Sequence, residues 1–188
     1  MAGGGARPNN LNIMKKLGFI SYLLCSFLNI GCAQVPKERP HLENPAFDKK
    51  LAKLLQFSVP LIGVQELHNI QREVYIFDTR EWREYEVSHI EGARYLGYDD
   101  FDAKRLQDIP KNAKIVLYCS VGYRSEKIGE KVRKLGYEKV YNLYGSIFEW
   151  ANEGYPVVDL KGNPSDKVHT YNKDWSKWLD AEKVTKTW

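Results

Sequence analysis

The segment Tyr118-Cys119-Ser120-Val121-Gly122-Tyr123-Arg124-Ser125 puts a thiol, a glycine and a guanidinium into one short stretch. The residues before it, Ile115-Val116-Leu117-Tyr118, read as a buried strand. Ser125 to Leu135, with Ile128, Val132 and Leu135 on one face, reads as a helix stopped at Gly136. Amides of a tight loop between strand and helix point inward, and the helix start adds partial positive charge, so the concavity suits an anion. A thiolate held there has a lowered pKa and is nucleophilic at neutral pH. Gly122 relaxes the backbone for a sharp loop, Arg124 offers a fixed cation with a planar donor fork, and Ser125 is the expected N-cap.

Such a loop needs a sheet to deliver it. Val74 to Phe77 is a continuous apolar run ending at Asp78, as in a parallel strand covered on both faces. Val59 to Ile62, Ala93 to Leu96 and Val140 to Leu143 are further strands. Helical spacing marks Ala46 to Gln56, Val64 to Ile70, Glu81 to Val87, Phe101 to Gln107 and Ile147 to Asn152, and Ser88 to Gly92 is a loop. Strands alternating with short helices predict an α/β fold, a parallel sheet with helices on both faces. Ligands of such sheets bind beyond the carboxyl ends of the strands, where Asp78 and Cys119 both fall.

Composition narrows the function. The chain has 188 residues, 43% hydrophobic and 28% charged, with a net charge of +4. Arg7, Lys15 and Lys16 lie in an acid-free start, so the remainder is close to neutral and lacks the basic surface that nucleic-acid binding needs. Cys25, Cys32 and Cys119 are too few and too unevenly spaced for a disulfide scaffold or a zinc site. His41, His68 and His169 show no ligand spacing, so no metal is expected.

Residues 1 to 33 read as an address. Lys15-Lys16 precede a charge-free stretch from Leu17 to Ile30, the length of a signal-peptide core and short of a membrane span. At Gly31-Cys32-Ala33-Gln34 two routes stay open: cleavage before Gln34, or lipidation of Cys32, since the segment resembles a bacterial lipobox. Both predict export to the periplasm or cell envelope, with membrane attachment only through a lipid anchor. Residues 34 to 56 read as a Pro-rich tether and a short helix, 57 to 158 as the main domain, and 159 to 188 as an extension. In that extension Trp175 and Trp178-Leu179 fit one face of a short helix folded back over the domain.

Cys-x-x-Gly-x-Arg-Ser between strand and helix resembles the active-site loop of rhodanese-type sulfurtransferases. Other marks come in matching order: Asp78-Thr79-Arg80, Glu84-Tyr85, His89-Ile90-x-Gly92-Ala93, Asn142-Leu143-Tyr144-Gly145, Trp150, and Gly154-x-Pro156-Val157. The resemblance covers residues 57 to 158. Tyr144 stands where the family usually has the first of two glycines, and Ser88 where a glycine usually precedes the histidine.

The resemblance implies a rhodanese-like fold and an enzyme that takes sulfane sulfur from thiosulfate or a similar donor. The sulfur would be carried as a persulfide on Cys119 and passed to cyanide or a thiol. No cofactor is implied beyond that covalent intermediate. Ser120, Val121, Gly122, Tyr123, Arg124 and Ser125 would line the pocket, Arg124 would attract the anionic donor, and Tyr123 would shape acceptor access. Asp78, Arg80 and His89 would be supports. Four residues separate Cys119 from Arg124, one fewer than in related phosphatases and arsenate reductases, a spacing that fits sulfur. A sulfur carrier or docking module served by a protein donor or redox partner is the alternative. An intramolecular disulfide cycle would need a second thiol near Cys119, and Cys32 is either removed by cleavage or, if retained, lipidated or on a distant tether.

Overall fold

The computed structural model describes residues 1–4 and 35–188, and everything below concerns residues 35–188. The signal-peptide and lipobox readings, with Cys25, Cys32 and the cleavage point before Gln34, lie outside the described residues.

Five parallel strands form the central sheet: β1 (Leu61–Ile62), β2 (Tyr75–Asp78), β4 (Arg94–Tyr95), β5 (Lys114–Tyr118) and β6 (Lys139–Leu143), in the order β1-β6-β5-β2-β4. Apolar side chains alternate across the two faces because strand side chains repeat every two residues. Val116 and Tyr118 of β5 enter one core with Phe47, Leu51, Leu67 and Trp150, while Ile115 and Leu117 enter the other with Ile128, Val132, Leu106 and Tyr137. The first core is covered by α1 (Pro45–Leu54), α2 (Val64–Ile70) and α5 (Ser146–Asn152). The second is covered by α4 (Tyr123–Lys134) and a 3-10 turn at Ala103–Leu106. The α/β fold expected from the sequence, a parallel sheet with helices on both faces, is therefore present.

The order of the strands also places the site. After β2 the chain moves outward through α3 (Trp82–Tyr85) and β3 (His89–Ile90) to β4, then crosses back to β5 on the other side. The sheet's switch point thus lies between β2 and β5, where register pairs Asp78 with Tyr118. Thr79 and Cys119 leave the same edge, and the Thr79 amide and hydroxyl both donate to the Tyr118 carbonyl.

Three local expectations change. The stretch before α1 is not a loose tether. Leu42 is buried in the first core, and Arg39 donates to Asp48 at 2.6 Å and to the Tyr144 hydroxyl at 3.1 Å. The loop expected at Ser88 to Gly92 contains β3, which pairs antiparallel with β7 (Val157–Val158). The extension beyond 158 packs on the first core through Val168 and Leu179, with more strand than helix. There β8 (Pro164–Ser165) pairs with β7, and β9 (Lys167–His169) pairs parallel with β10 (Thr185–Thr187). Its helical part is a 3-10 turn at Ser176–Trp178, and Trp178 stacks on Phe47 at 5.4 Å.

Candidate active site

Cys119 follows β5 directly and is almost fully buried. The loop after it turns through Gly122, whose φ of 111° and ψ of −11° lie in the left-handed region that glycine enters without a Cβ penalty. That turn points the Gly122 amide at the thiol, with N to Sγ at 3.1 Å. It also starts α4 two residues earlier than the sequence suggested. Gly122 occupies the cap position, and Ser125 sits inside the first turn instead of capping it.

The loop's carbonyls have their own partners. The Ile147 and Phe148 amides at the start of α5 donate to the carbonyls of Cys119 and Ser120. Asn142, on β6, donates its amide to the Gly122 carbonyl at 2.9 Å and accepts the Ser125 hydroxyl at 2.6 Å. The Cys119 amide donates to the Ser146 hydroxyl at 3.2 Å. Ser125 Oγ also lies 3.6 Å from Cys119 Sγ, but its single proton goes to the much shorter Asn142 contact.

Burial pushes the Cys119 thiol up, and the positive field of Arg124 with the Ser125 and Gly122 amides outweighs it. The net result is a pKa below the ordinary thiol value. The side chain is thus biased towards the thiolate in a small, amide-lined seat.

Arg124 is not a free cation. Its two terminal nitrogens hold both oxygens of Glu84 at 2.6 and 2.8 Å, and Ser120 Oγ bridges the pair. Burial pushes the Glu84 carboxyl up, but the guanidinium hydrogen bonds and charge bring it down to about 2. The site therefore contains a neutralised Arg124–Glu84 pair beside the thiolate. The expectation that Arg124 draws in an anionic donor loses most of its charge excess.

The supports expected from the sequence form a separate cluster. Asp78 and Arg80, both fully buried, make a forked pair at 2.7 Å, and Arg80 also donates to the Ser88 carbonyl at 2.6 Å. The His89 ring stacks on Tyr85 at 4.0 Å with Nδ1 near the Tyr85 carbonyl, and burial lowers its pKa, so the imidazole is neutral at pH 7. None of the three reaches the cavity at Cys119.

That cavity, of about 400 Å³, is lined by Cys119, Ser120, Val121, Tyr123 and Arg124 from the loop. The remaining walls are Glu81 and Arg83 at α3, Tyr98 and Asp99 beyond β4, and Tyr171 and Trp175 from the extension. The strand-end rule that located Asp78 could also have located Tyr98 and Asp99. Glu84 was visible only as a mark of resemblance, and nothing local signals Tyr171 or Trp175. Among the described residues, no three His, Cys, Asp or Glu side chains converge so as to hold a metal ion.

Residues 63–153 match the Rhodanese-like domain family. Two curated tRNA uridine(34) hydroxylases are similar to part of the chain: that of Erwinia tasmaniensis is 37% identical over 94 residues and that of Bartonella henselae 38% identical over 84. These alignments cover 45% and 42% of this chain but only 27% and 28% of those proteins, so the chain spans about a quarter of their length. Among solved structures, the BH2092 protein of Bacillus halodurans superposes with a TM-score of 0.51 at 22% identity, covering 63% of this chain and 89% of that one. Thiosulfate sulfurtransferase of Pseudomonas aeruginosa gives 0.50 at 16% identity, covering 64% of this chain and 23% of that one. Fold and family match agree: the fold is rhodanese-like, and residues 63–153 match the Rhodanese-like domain.

Proposed function

We propose that the protein is a sulfurtransferase working through a Cys119 persulfide. The thiolate attacks the sulfane sulfur of a donor such as thiosulfate, the sulfur–sulfur bond of the donor breaks, and sulfite leaves with the electron pair. The outer persulfide sulfur is then attacked by an acceptor thiolate or cyanide. A new persulfide or thiocyanate leaves, and the Cys119 thiolate is restored. The observation that carries this reading is the Gly122 amide donating to Cys119 Sγ at 3.1 Å, in a loop whose spacing resembles that of sulfurtransferases. No proton acceptor is needed, which suits the neutral, distant His89.

The test is intact mass after incubation with thiosulfate beside a Cys119→Ser control. The expected result is a gain of one sulfur atom, removed by cyanide and absent from the control. An unchanged mass in folded, reduced protein removes thiosulfate as donor. A sulfur carrier loaded by a protein partner is the second reading, favoured by the Arg124–Glu84 pair, which leaves little net charge to draw in a free dianion. It predicts that a protein persulfide loads Cys119 where thiosulfate fails.

Export belongs to the same proposal, supported by Lys15-Lys16 ahead of the charge-free Leu17 to Ile30 stretch. Mature mass after expression in a bacterium distinguishes cleavage before Gln34 from lipidation at Cys32, and an intact cytoplasmic chain overturns both.

A further inference from the structure

The extension supplies two aromatic side chains to the cavity at Cys119, although the family match ends at residue 153. Tyr171 is exposed for 45% of its surface and lies against the Arg124 guanidinium, 5.1 Å from its carbon to the ring centre. Its backbone has φ 65°, a left-handed conformation that costs energy in a residue with a bulky side chain. The strain is held by neighbours. The Tyr171 amide donates to His169 Nδ1 at 3.0 Å, the Asn172 amide to the Thr170 carbonyl, and the Trp175 amide to Asn172 Oδ1 at 3.1 Å. A hydrogen-bonded turn with an uncommon backbone conformation thus presents Tyr171 and Trp175 to the thiolate.

The chemistry of the walls indicates what they meet. A cavity of about 400 Å³ is far larger than a bare sulfur anion or cyanide requires. Arg124 is neutralised by Glu84, so the remaining charges around the cavity are the carboxylates of Glu81 and Asp99 and the guanidinium of Arg83. Burial and the neighbouring Asp99 charge push the Glu81 carboxyl up, a repulsion that a cation between the two would relieve. Aromatic faces for an apolar body, two carboxylates for an ammonium and one guanidinium for a carboxylate describe an amino-acid or short-peptide thiol.

We propose that Tyr171 and Trp175 are specificity-determining residues that bind the organic body of a zwitterionic low-molecular-weight thiol, the acceptor of the Cys119 persulfide. This rests on the sulfurtransferase reading for its chemistry. The acceptor thiolate attacks the outer persulfide sulfur, the bond to Cys119 Sγ breaks, and a low-molecular-weight persulfide leaves as the Cys119 thiolate re-forms, with no net redox change.

Two measurements on the full chain test it. The first is protection of Cys119 from iodoacetamide by S-methylglutathione, which cannot accept sulfur and so reports binding alone. Protection at millimolar concentration is expected, weakened about tenfold in Tyr171→Ala and Trp175→Ala and retained in Tyr171→Phe and Trp175→Phe. The second is discharge of the preloaded persulfide. Both alanine variants should raise KM for glutathione several-fold with kcat nearly unchanged, a larger loss than the same variants show with cyanide.

Absence of protection in the wild-type chain overturns the proposal whatever the transfer assay gives. Equal losses with glutathione and cyanide also overturn it, since they mark a folding role. If no donor ever loads Cys119 but protection is present and depends on Tyr171, the sulfurtransferase reading fails while the thiol-binding site stands.

Discussion

The Gly122 amide reaches Cys119 Sγ at 3.1 Å while Asn142, across on β6, holds the Gly122 carbonyl from the other side at 2.9 Å. One peptide group is thus fixed at one end while its neighbour serves the thiolate. Asn142→Ala is expected to let the loop relax, raise the midpoint of the iodoacetamide pH profile towards that of a free thiol, about 8.5, and cost about 2 kcal/mol of stability. A wild-type midpoint already at that value, or a variant midpoint below the wild-type one, would falsify the assignment.

Glu84 and Cys119 compete for the same cation. Glu84→Gln removes the charge that neutralises Arg124, so the guanidinium is free to favour the thiolate and the Cys119 pKa is expected to fall further. The same change strands a largely buried cation and should cost about 3 kcal/mol in urea unfolding. Alkylation rates at pH 6 against pH 8 read the first effect, and a thiol pKa that rises refutes it.

The same pair sets acid stability. Glu84 is brought down to about 2 in the folded chain, below its value when unfolded, so the unfolded chain binds more protons between those values. Its contribution, on the order of 3 kcal/mol, is complete above about pH 4.5 and is lost as pH falls towards 2. Urea midpoints across that range should drop in the wild-type chain and drop much less in Glu84→Gln.

Tyr144, standing where a glycine is usual, has a different job. Its hydroxyl donates to Asp48 at 2.7 Å and accepts from Arg39 at 3.1 Å, tying α1 and the segment before it to the end of β6. Tyr144→Phe should cost about 1 kcal/mol and leave the thiol pH profile unmoved.

The legible parts of the molecule were those set by local chemistry. The apolar runs at Ile76-Phe77 and Ile115 to Tyr118 could only be strands buried on both faces. Cys119, Gly122 and Arg124 could be read together because the loop is short. Ser125 was misplaced because serine is a good cap in general, whereas here left-handed Gly122 takes that position. Leu42 looked solvated among prolines and charges, yet it fills the first core. Glu84 showed only as a mark of resemblance with no role attached, because its partner Arg124 lies forty residues on. The wall made by Tyr171 and Trp175 depends on β9 pairing in parallel with β10, a long-range contact that alternating polar residues do not announce.

That distant pairing has a consequence in time. At about 5–20 residues per second of synthesis, Cys119 leaves the ribosome seconds before Tyr171 and Trp175, and β9 cannot pair until Thr185–Thr187 has followed. A nascent chain therefore carries its reactive sulfur with the outer wall missing, open to any electrophile or oxidant nearby. The lateness of that wall makes the interval before its docking the most exposed moment in the life of the thiol.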